Sequence, residues 1–428
     1  MASTNHVFHI QDNMKTPAKH HESFQMLWET KWKKPAEMGV YPFMFGAARD
    51  FEPIVEEMTK KGMKEPYDWD AYATVFIPYA EALTKIGERA EANNEKSKAA
   101  EFYHRASAIY RIARFPVIRS PVQQRCWSAG KAVFLRAQAL LPYPVTETQV
   151  PHTHRLPHEG THIPVYTLCP DARPAPVMVI VTGLDGYRTE LAVWAEGWRA
   201  LGVATVILEI PGTGDCPADG SDVRSSDRLF SSLLDWIDLQ DSLDSKKVCV
   251  WGFSTGGYHT IRLAHTHAAR LAGVIALGGG CHFMFERAWL DEVDHLEYPF
   301  DLAGSLAWKF GYGAEVEKFK AEGSRFSLLS DGTLDGPECA RLLLVNGTED
   351  EIFPIDDYYL ALMHGRPKEV RFVEGIKHMG EPASFGIILK WLYGVLEIKA
   401  NPMEQLKKLP FKLRYPTGEE AEVGSNGH

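Results

Sequence analysis

The 428-residue sequence has no apolar run approaching the roughly 20 residues that a membrane-spanning helix needs. Its six cysteines, at positions 126, 169, 216, 249, 281 and 339, include no C-x-x-C pair. That scatter argues against a disulfide framework or a zinc site and suits free thiols in a reducing compartment. Positive charge is also in short supply. Against 56 Asp and Glu stand 46 Lys and Arg, a formal net charge of −10, and no basic patch stands out, so nucleic acid is not an expected partner. The opening stretch, Met1–His21, is polar and lacks the apolar core of a secretory leader. A cytoplasmic location is the default expectation, with an unconventional vesicular route left open. What is present is ordinary globular composition, 45% hydrophobic and 24% charged, on a chain long enough for more than one domain.

Residues 1–150 carry helical patterning. Apolar residues at 72, 75, 76, 79, 82, 83, 86 and 90 fall close to one helical face. Pro78 is expected to kink or split that helix. A second face runs Ala99, Phe102, Tyr103, Ala106, Ile109, Tyr110 and Ala113, stopping before Phe115-Pro116, and a third begins after Pro121. These stripes are expected to pack helix on helix. The aromatic stretch Trp28–Phe51 has no clear period and is expected to wrap another surface.

Near Pro144 the texture changes. Thr153–Leu156 and His162–Leu168 flank Pro157-His158-Glu159-Gly160, a hairpin pattern. Beyond it strands alternate with helices. Strands are expected at Val177–Val181, Val203–Glu209, Val248–Trp251, Gly273–Leu277, Arg341–Val345 and Glu369–Val373. Helices are expected at Leu191–Leu201, Ser226–Leu239, Tyr258–His267, Ile355–Met363 and Ala383–Val395. The alternation predicts an α/β domain over 151–400, a mostly parallel sheet with helices on both faces. An aromatic-rich insertion at about 282–338 is too long for a plain crossover and predicts a cap. Most of its aromatics are expected to form the cap's own core. Residues 401–428 form a polar extension, with disorder expected from Tyr415 to His428.

The strongest local signal is Gly252-Phe253-Ser254-Thr255-Gly256, a G-x-S-x-G turn between an apolar strand and a helix-compatible run. In that context the turn is a nucleophile elbow, with Ser254 on strained backbone at a helix N-terminus. A serine nucleophile needs a base, and the base an orienting acid, each just beyond a strand. His378 follows Val370–Val373, and Asp350 follows Leu342–Val345. Glu349, Glu351, Asp356 and Asp357 compete for the acid, and His259, His282 and His364 for the base. The position of Asp350 between Gly347 and Pro354 favours it. The oxyanion donors are expected to be the backbone N–H groups of Thr255 and Leu184, the latter in the loop Thr182-Gly183-Leu184-Asp185-Gly186-Tyr187. Asp185, Tyr187, Phe253 and Phe283 are candidates for lining the substrate.

Two further patterns carry less. His152, His154, His158 and His162 straddle the hairpin, whose alternation scatters side chains to both faces, so a metal is not expected. Pro211-Gly212-Thr213-Gly214-Asp215-Cys216-Pro217 lacks the Gly-Lys-Ser/Thr ending of a phosphate loop and suits an active-site wall.

Gly183-Leu184-Asp185-Gly186-Tyr187, Glu209-Ile210-Pro211-Gly212-Thr213-Gly214-Asp215, Gly252-Phe253-Ser254-Thr255-Gly256-Gly257 and Gly347-Thr348-Glu349-Asp350 together resemble the FrsA-like α/β-hydrolases over most of the chain. Within that group the sequence is most similar to the fungal yellowish-green-type hydrolases of melanin and pigment pathways. The resemblance implies an α/β-hydrolase fold with a helical N-terminal domain, and a triad of Ser254, Asp350 and His378. It implies no metal or organic cofactor. It also implies hydrolysis of a carbon–carbon bond that shortens an aromatic polyketide, as in naphthopyrone to tetrahydroxynaphthalene conversion. Thr182 departs from the second glycine of many relatives. An aromatic ester or lactone would use the same residues, and a non-catalytic regulator would carry a broken triad. A homodimer stays open.

Overall fold

The computed structural model describes residues 6–336 and 338–404. The expected disorder after Tyr415 lies outside these residues. The described residues form two compact units: Lys19–Thr146, and residues 147–404 together with residues 6–18.

The first unit is helical. It contains α1 (Phe24–Leu27), a π-helical turn at Trp28–Trp32, α2 (Lys33–Met38), α3 (Ala48–Lys60), α4 (Trp69–Ala92), α5 (Lys96–Ala113) and α6 (Pro121–Ala139). Local chemistry sets the helix starts. Asp68 caps α4 by accepting from the N–H groups of Asp70 and Ala71. Ser120 caps α6 ahead of Pro121, which needs no N–H partner. Pro78 does not split α4, which runs unbroken past it. The Trp28–Phe51 stretch also departs from expectation. Trp28, Trp32, Phe43 and Phe51 are buried against one another, with Phe43 and Phe51 at 4.8 Å edge to face. These rings are a core of the helical unit itself.

The second unit is built on an eight-stranded sheet in the order β1-β2-β4-β3-β5-β6-β7-β8. The strands are β1 (Thr146–Pro151), β2 (His162–Leu168), β3 (Ala175–Val181), β4 (Ala204–Leu208), β5 (Leu243–Phe253), β6 (Gly273–Leu277), β7 (Leu342–Gly347) and β8 (Glu369–Val373). β2 runs antiparallel to β4, and β3 to β8 are parallel. Among the interior strands β4, β6 and β7 are wholly buried, as apolar runs covered on both faces must be. The first hairpin arm is β1, not Thr153–Leu156, which is a turn and irregular chain. The helix expected at Leu191–Leu201 is instead broken into α7 (Arg188–Leu191), a 3₁₀ turn and α8 (Ala195–Ala200). The crossovers α9 (Ser225–Asp238) and α10 (Thr255–Thr266) follow.

The insertion between β6 and β7, where a cap is expected, consists of short helices, α11 (Arg287–Leu290), α12 (Leu302–Lys309) and α13 (Val316–Glu322), joined by 3₁₀ turns. Its rings pack mainly on each other, with Phe310 lying 4.4 Å from Phe326 and 5.7 Å from Phe319. Tyr258 of α10 meets Phe285 at 5.2 Å and donates to the Phe326 carbonyl, tying the cap to the elbow helix. After β7 come α14 (Asp356–Leu362) and, beyond β8, α15 (Ala383–Val395). The segment up to Ala18 buries Phe8, Ile10 and Met14 and lies on the cap, with Phe8 5.0 Å from Trp289.

Candidate active site

β5 ends at Phe253 and α10 begins at Thr255, leaving Ser254 alone on the turn at φ +53° and ψ −124°. A non-glycine residue there stores roughly 1–3 kcal/mol of backbone strain. The turn can be this sharp because a Cβ on Gly256 would run into the carbonyl oxygens of Val181 and Thr182 at the end of β3. The elbow is therefore wedged against the start of the loop expected to supply the second oxyanion donor.

Two other strand ends bring the partners. Ser254 Oγ lies 2.9 Å from His378 Nε2, and His378 Nδ1 lies 2.8 Å from Asp350 Oδ2. A Cβ on Gly347, the last residue of β7, would collide with the carbonyls of Ile376 and Lys377. Only glycine permits the acid loop and the histidine loop to approach so closely. Asp350 is fully buried. Its Oδ1 accepts from the N–H groups of Ile352 (2.7 Å) and Phe353 (3.1 Å), and its Oδ2 also accepts from Asn346 Nδ2 (2.6 Å). Asn346 Oδ1 in turn accepts from the N–H of Met379, beside the histidine. The Phe353 ring meets the imidazole edge to face at 5.7 Å. Burial alone would lower the His378 pKa. The Asp350 carboxylate, with Glu297 and Glu381 behind it, outweighs burial and holds it above the ordinary value. Glu381 is itself pushed up to about 7, by burial first and by Glu297, against the pull of His378.

The competing residues are engaged elsewhere. Glu349 accepts from Asn13, Glu351 pairs with Lys377, and Asp356 with His6. Asp357 accepts from the N–H groups of His282, Phe283 and Met284. His259 bonds Lys309, His282 bonds Ser327, and His364 bonds Asp335. The hairpin histidines have four separate partners: Ser232, Asp235, Asp219 and Thr161.

The Thr255 and Leu184 residues are buried, and among the described residues neither N–H donates to a protein acceptor. A buried N–H left open beside a nucleophile is what an incoming oxyanion requires. The four substrate-lining candidates divide. Tyr187 is fully buried, and Asp185 is partly exposed on the same loop. Phe253 stacks on Trp251 at 4.5 Å, near Trp194, so packing accounts for its burial. Phe283 stacks on His6 at 4.0 Å, at the root of the cap. Asn346, Phe353, Glu297 and Glu381 were not singled out from the sequence. Asn346 carried the one usable signal, standing beside Gly347 at the strand end.

A family model described as "Esterase FrsA-like" matches residues 78–374. Among curated proteins, the chain is 22% identical to an Esterase FrsA of Enterobacter sp. (strain 638) over 64% of this chain and 62% of that one. It is 24% identical to an Esterase FrsA of Salmonella paratyphi B over 65% and 68%. The chain thus spans less than two thirds of the length of the first of these relatives. Among solved structures, 2,6-dihydroxy-pseudo-oxynicotine hydrolase aligns with a TM-score of 0.63 at 18% identity, covering 83% of this chain and 95% of that one. AbyA5 aligns with a TM-score of 0.59 at 23% identity, covering 77% and 91%. These two likenesses concern the fold.

Proposed function

The chain belongs to the FrsA-like esterase family, and from that premise we propose that it is a serine hydrolase working through a covalent acyl intermediate on Ser254. The observation that carries this reading is the unbroken relay from Ser254 Oγ through His378 to Asp350, at 2.9 and 2.8 Å. His378 Nε2 takes the Ser254 proton as Oγ attacks a carbonyl carbon. Asp350 keeps the imidazole in the required tautomer and offsets the charge of the imidazolium. The N–H groups of Thr255 and Leu184 hold the oxyanion. Collapse breaks the bond to the leaving group, which His378 protonates. Water, activated by His378, then releases the acid and restores Ser254.

The finer reading is retro-Claisen cleavage of an acyl side chain from an aromatic polyketide. There the leaving group is carbon, so the substrate itself must stabilise the departing carbanion, as a β-dicarbonyl or polyphenolic ring does. The sequence resemblance to pigment-pathway hydrolases supports this reading. Hydrolysis of an aromatic ester or lactone is the second reading, favoured by the family's description as esterases. It needs no change in the residues. The covalent step is tested by quenching a reaction in acid and weighing the peptide that contains Ser254. An acyl adduct on that peptide, absent from Ser254→Ala, is expected. Turnover by Ser254→Ala within a few-fold of wild type would remove the covalent mechanism.

A further inference from the structure

The geometry points to Arg188 as the positioning residue of the oxyanion loop, acting through the backbone of residues 182–188. This inference rests on the serine-hydrolase reading above.

Arg188 is fully buried. Its backbone N–H donates to Glu209 Oε1 at 3.0 Å and its Nη1 to Glu209 Oε2 at 2.7 Å. Its Nη2 reaches Glu147 Oε2 and Asp215 Oδ2, each at 2.8 Å. The guanidinium also lies over the Tyr166 ring, 4.8 Å from its centroid. One cation thereby joins β1 (Glu147), β2 (Tyr166), the residue after β4 (Glu209) and the wall loop (Asp215).

The loop that carries Leu184 is held at both ends by the same strand end. At its start, Thr182 N–H donates to the Leu208 carbonyl at 3.1 Å. At its finish, Arg188 clamps Glu209, one residue beyond β4. Leu184 hangs between these two anchors with its N–H open, and β3 delivers the loop beside β5, where Val181 pairs with Gly252. Moving Arg188 moves the far anchor, and Leu184 with it.

Stability is a poor reason for such a cluster. Buried ion networks replaced by well-packed apolar groups are often neutral or stabilised, because desolvation offsets the Coulombic gain. Positional accuracy is a better reason. Displacing a catalytic group by about 1 Å costs on the order of 10²-fold in rate, and losing one oxyanion donor costs about 10²–10³-fold. Lysine would keep the charge at 188. It would also keep the backbone arm to Glu209, but its single ammonium could not reach Glu209, Glu147 and Asp215 together as the planar guanidinium does.

The test uses a fluorophosphonate, which reacts without knowledge of the substrate. Ser254 Oγ attacks phosphorus, the O–P bond forms as the P–F bond breaks, fluoride leaves, and the serine proton passes to His378. The phosphoryl oxygen occupies the oxyanion hole. Inactivation rate constants and inhibitor affinities are measured on the full chain for wild type, Ser254→Ala, Arg188→Lys and Glu147→Gln, with thermal unfolding of each. For Arg188→Lys a fall of about 10²-fold in the maximal inactivation rate is expected, with affinity within about threefold. Glu147→Gln, which removes one charge from the half-exposed end of the cluster, is expected to lower the same rate several-fold with an unchanged melting temperature. It carries the test if Arg188→Lys does not fold. A folded variant inactivated at the wild-type rate, or one whose loss lies in affinity, overturns the positioning role. Labelling of Ser254→Ala at the wild-type rate would instead overturn the hydrolase reading.

Discussion

At the scale of single residues, the site depends on which carboxylate faces His378. Five acids crowd the segment from Glu349 to Asp357, and the geometry separates them by their engagements. Asp350→Asn should therefore reduce turnover by about 10⁴-fold, because an amide cannot hold the imidazole tautomer that accepts the serine proton. Glu349→Gln and Glu351→Gln should each stay within a few-fold in the same steady-state assay, and a large loss in either would move the acid by one residue. The order Ser, Asp, His and the strand-end positions were legible because they follow from chain connectivity in a parallel sheet. Asn346 and Phe353 were not, since their contacts with Asp350 and His378 arise only when two loops fold together. The acid pair Glu297 and Glu381 was hidden for the same reason. Their charges help to raise the His378 pKa, and this has a signed consequence. An imidazolium cannot accept the Ser254 proton, so activity should rise with pH through a limb lying above the ordinary histidine value of about 6.5. Glu381→Gln removes a negative neighbour that favours the imidazolium, so the limb should move to lower pH. A limb that stays in place or moves upward in a kcat/KM profile would remove Glu381 from the electrostatics of the base.

At the scale of elements, legibility tracked the apolar pattern. β6 and α15, with their buried faces, carry the boundaries read from apolar runs and periodicity, and so does β8, whose residues are only partly covered. β1 did not show itself, because Thr146–Pro151 buries only Val150 and has no alternation to detect. The stretch from Arg188 to Ala200 misled for a different reason. Its first turn serves the Arg188–Glu209 clamp, and the chain follows that tertiary demand rather than a continuous helix. The root of the cap shows how an element can hang on one side chain. Asp357, fully buried on α14, takes the N–H groups of His282 and Phe283 at 2.7 Å and of Met284 at 3.1 Å, where the chain leaves β6 for the cap. Asp357→Ala strands these donors beside a new void. Each unsatisfied buried group costs about 1–3 kcal/mol, and in a unit of this size each kcal/mol is worth about 2–4 °C. With three donors stranded, a fall of roughly 6–36 °C in the melting temperature is expected by calorimetry. A change below about 2 °C would mean that the cap root is held by packing alone.

At the scale of the whole molecule, the aromatic content bears on the substrate. Phe285, Phe310, Tyr312, Phe319 and Phe326 of the cap pack on one another, and so do the rings of Trp28–Phe51 within the helical unit. The segment ahead of Ala18 was read only as polar, yet Phe8, Ile10 and Met14 are buried in the sheet-bearing unit. Too few apolar residues stood there to form a pattern. Aromatic richness by itself is thus spent largely on folding, and the case for a flat polyphenolic substrate rests on the resemblance and on the chemistry of the leaving group. That chemistry can be decided by isotope. Attack by Ser254 puts the acyl group on the enzyme, and solvent water then cuts the acyl–oxygen bond. In water enriched in heavy oxygen, one label should enter the carboxylate of the small acid released, and none the aromatic product. In deuterated water, carbon–carbon cleavage should add one deuteron to the aromatic or enolic carbon that departs, because that carbon must be protonated. An ester or lactone should add none to carbon. Cleavage of an acyl-aromatic polyketide with both labels so distributed is the expected outcome. Efficient turnover of short alkyl esters, with every such polyketide left intact, would transfer the assignment to the esterase reading while leaving Ser254, His378 and Asp350 in the same roles.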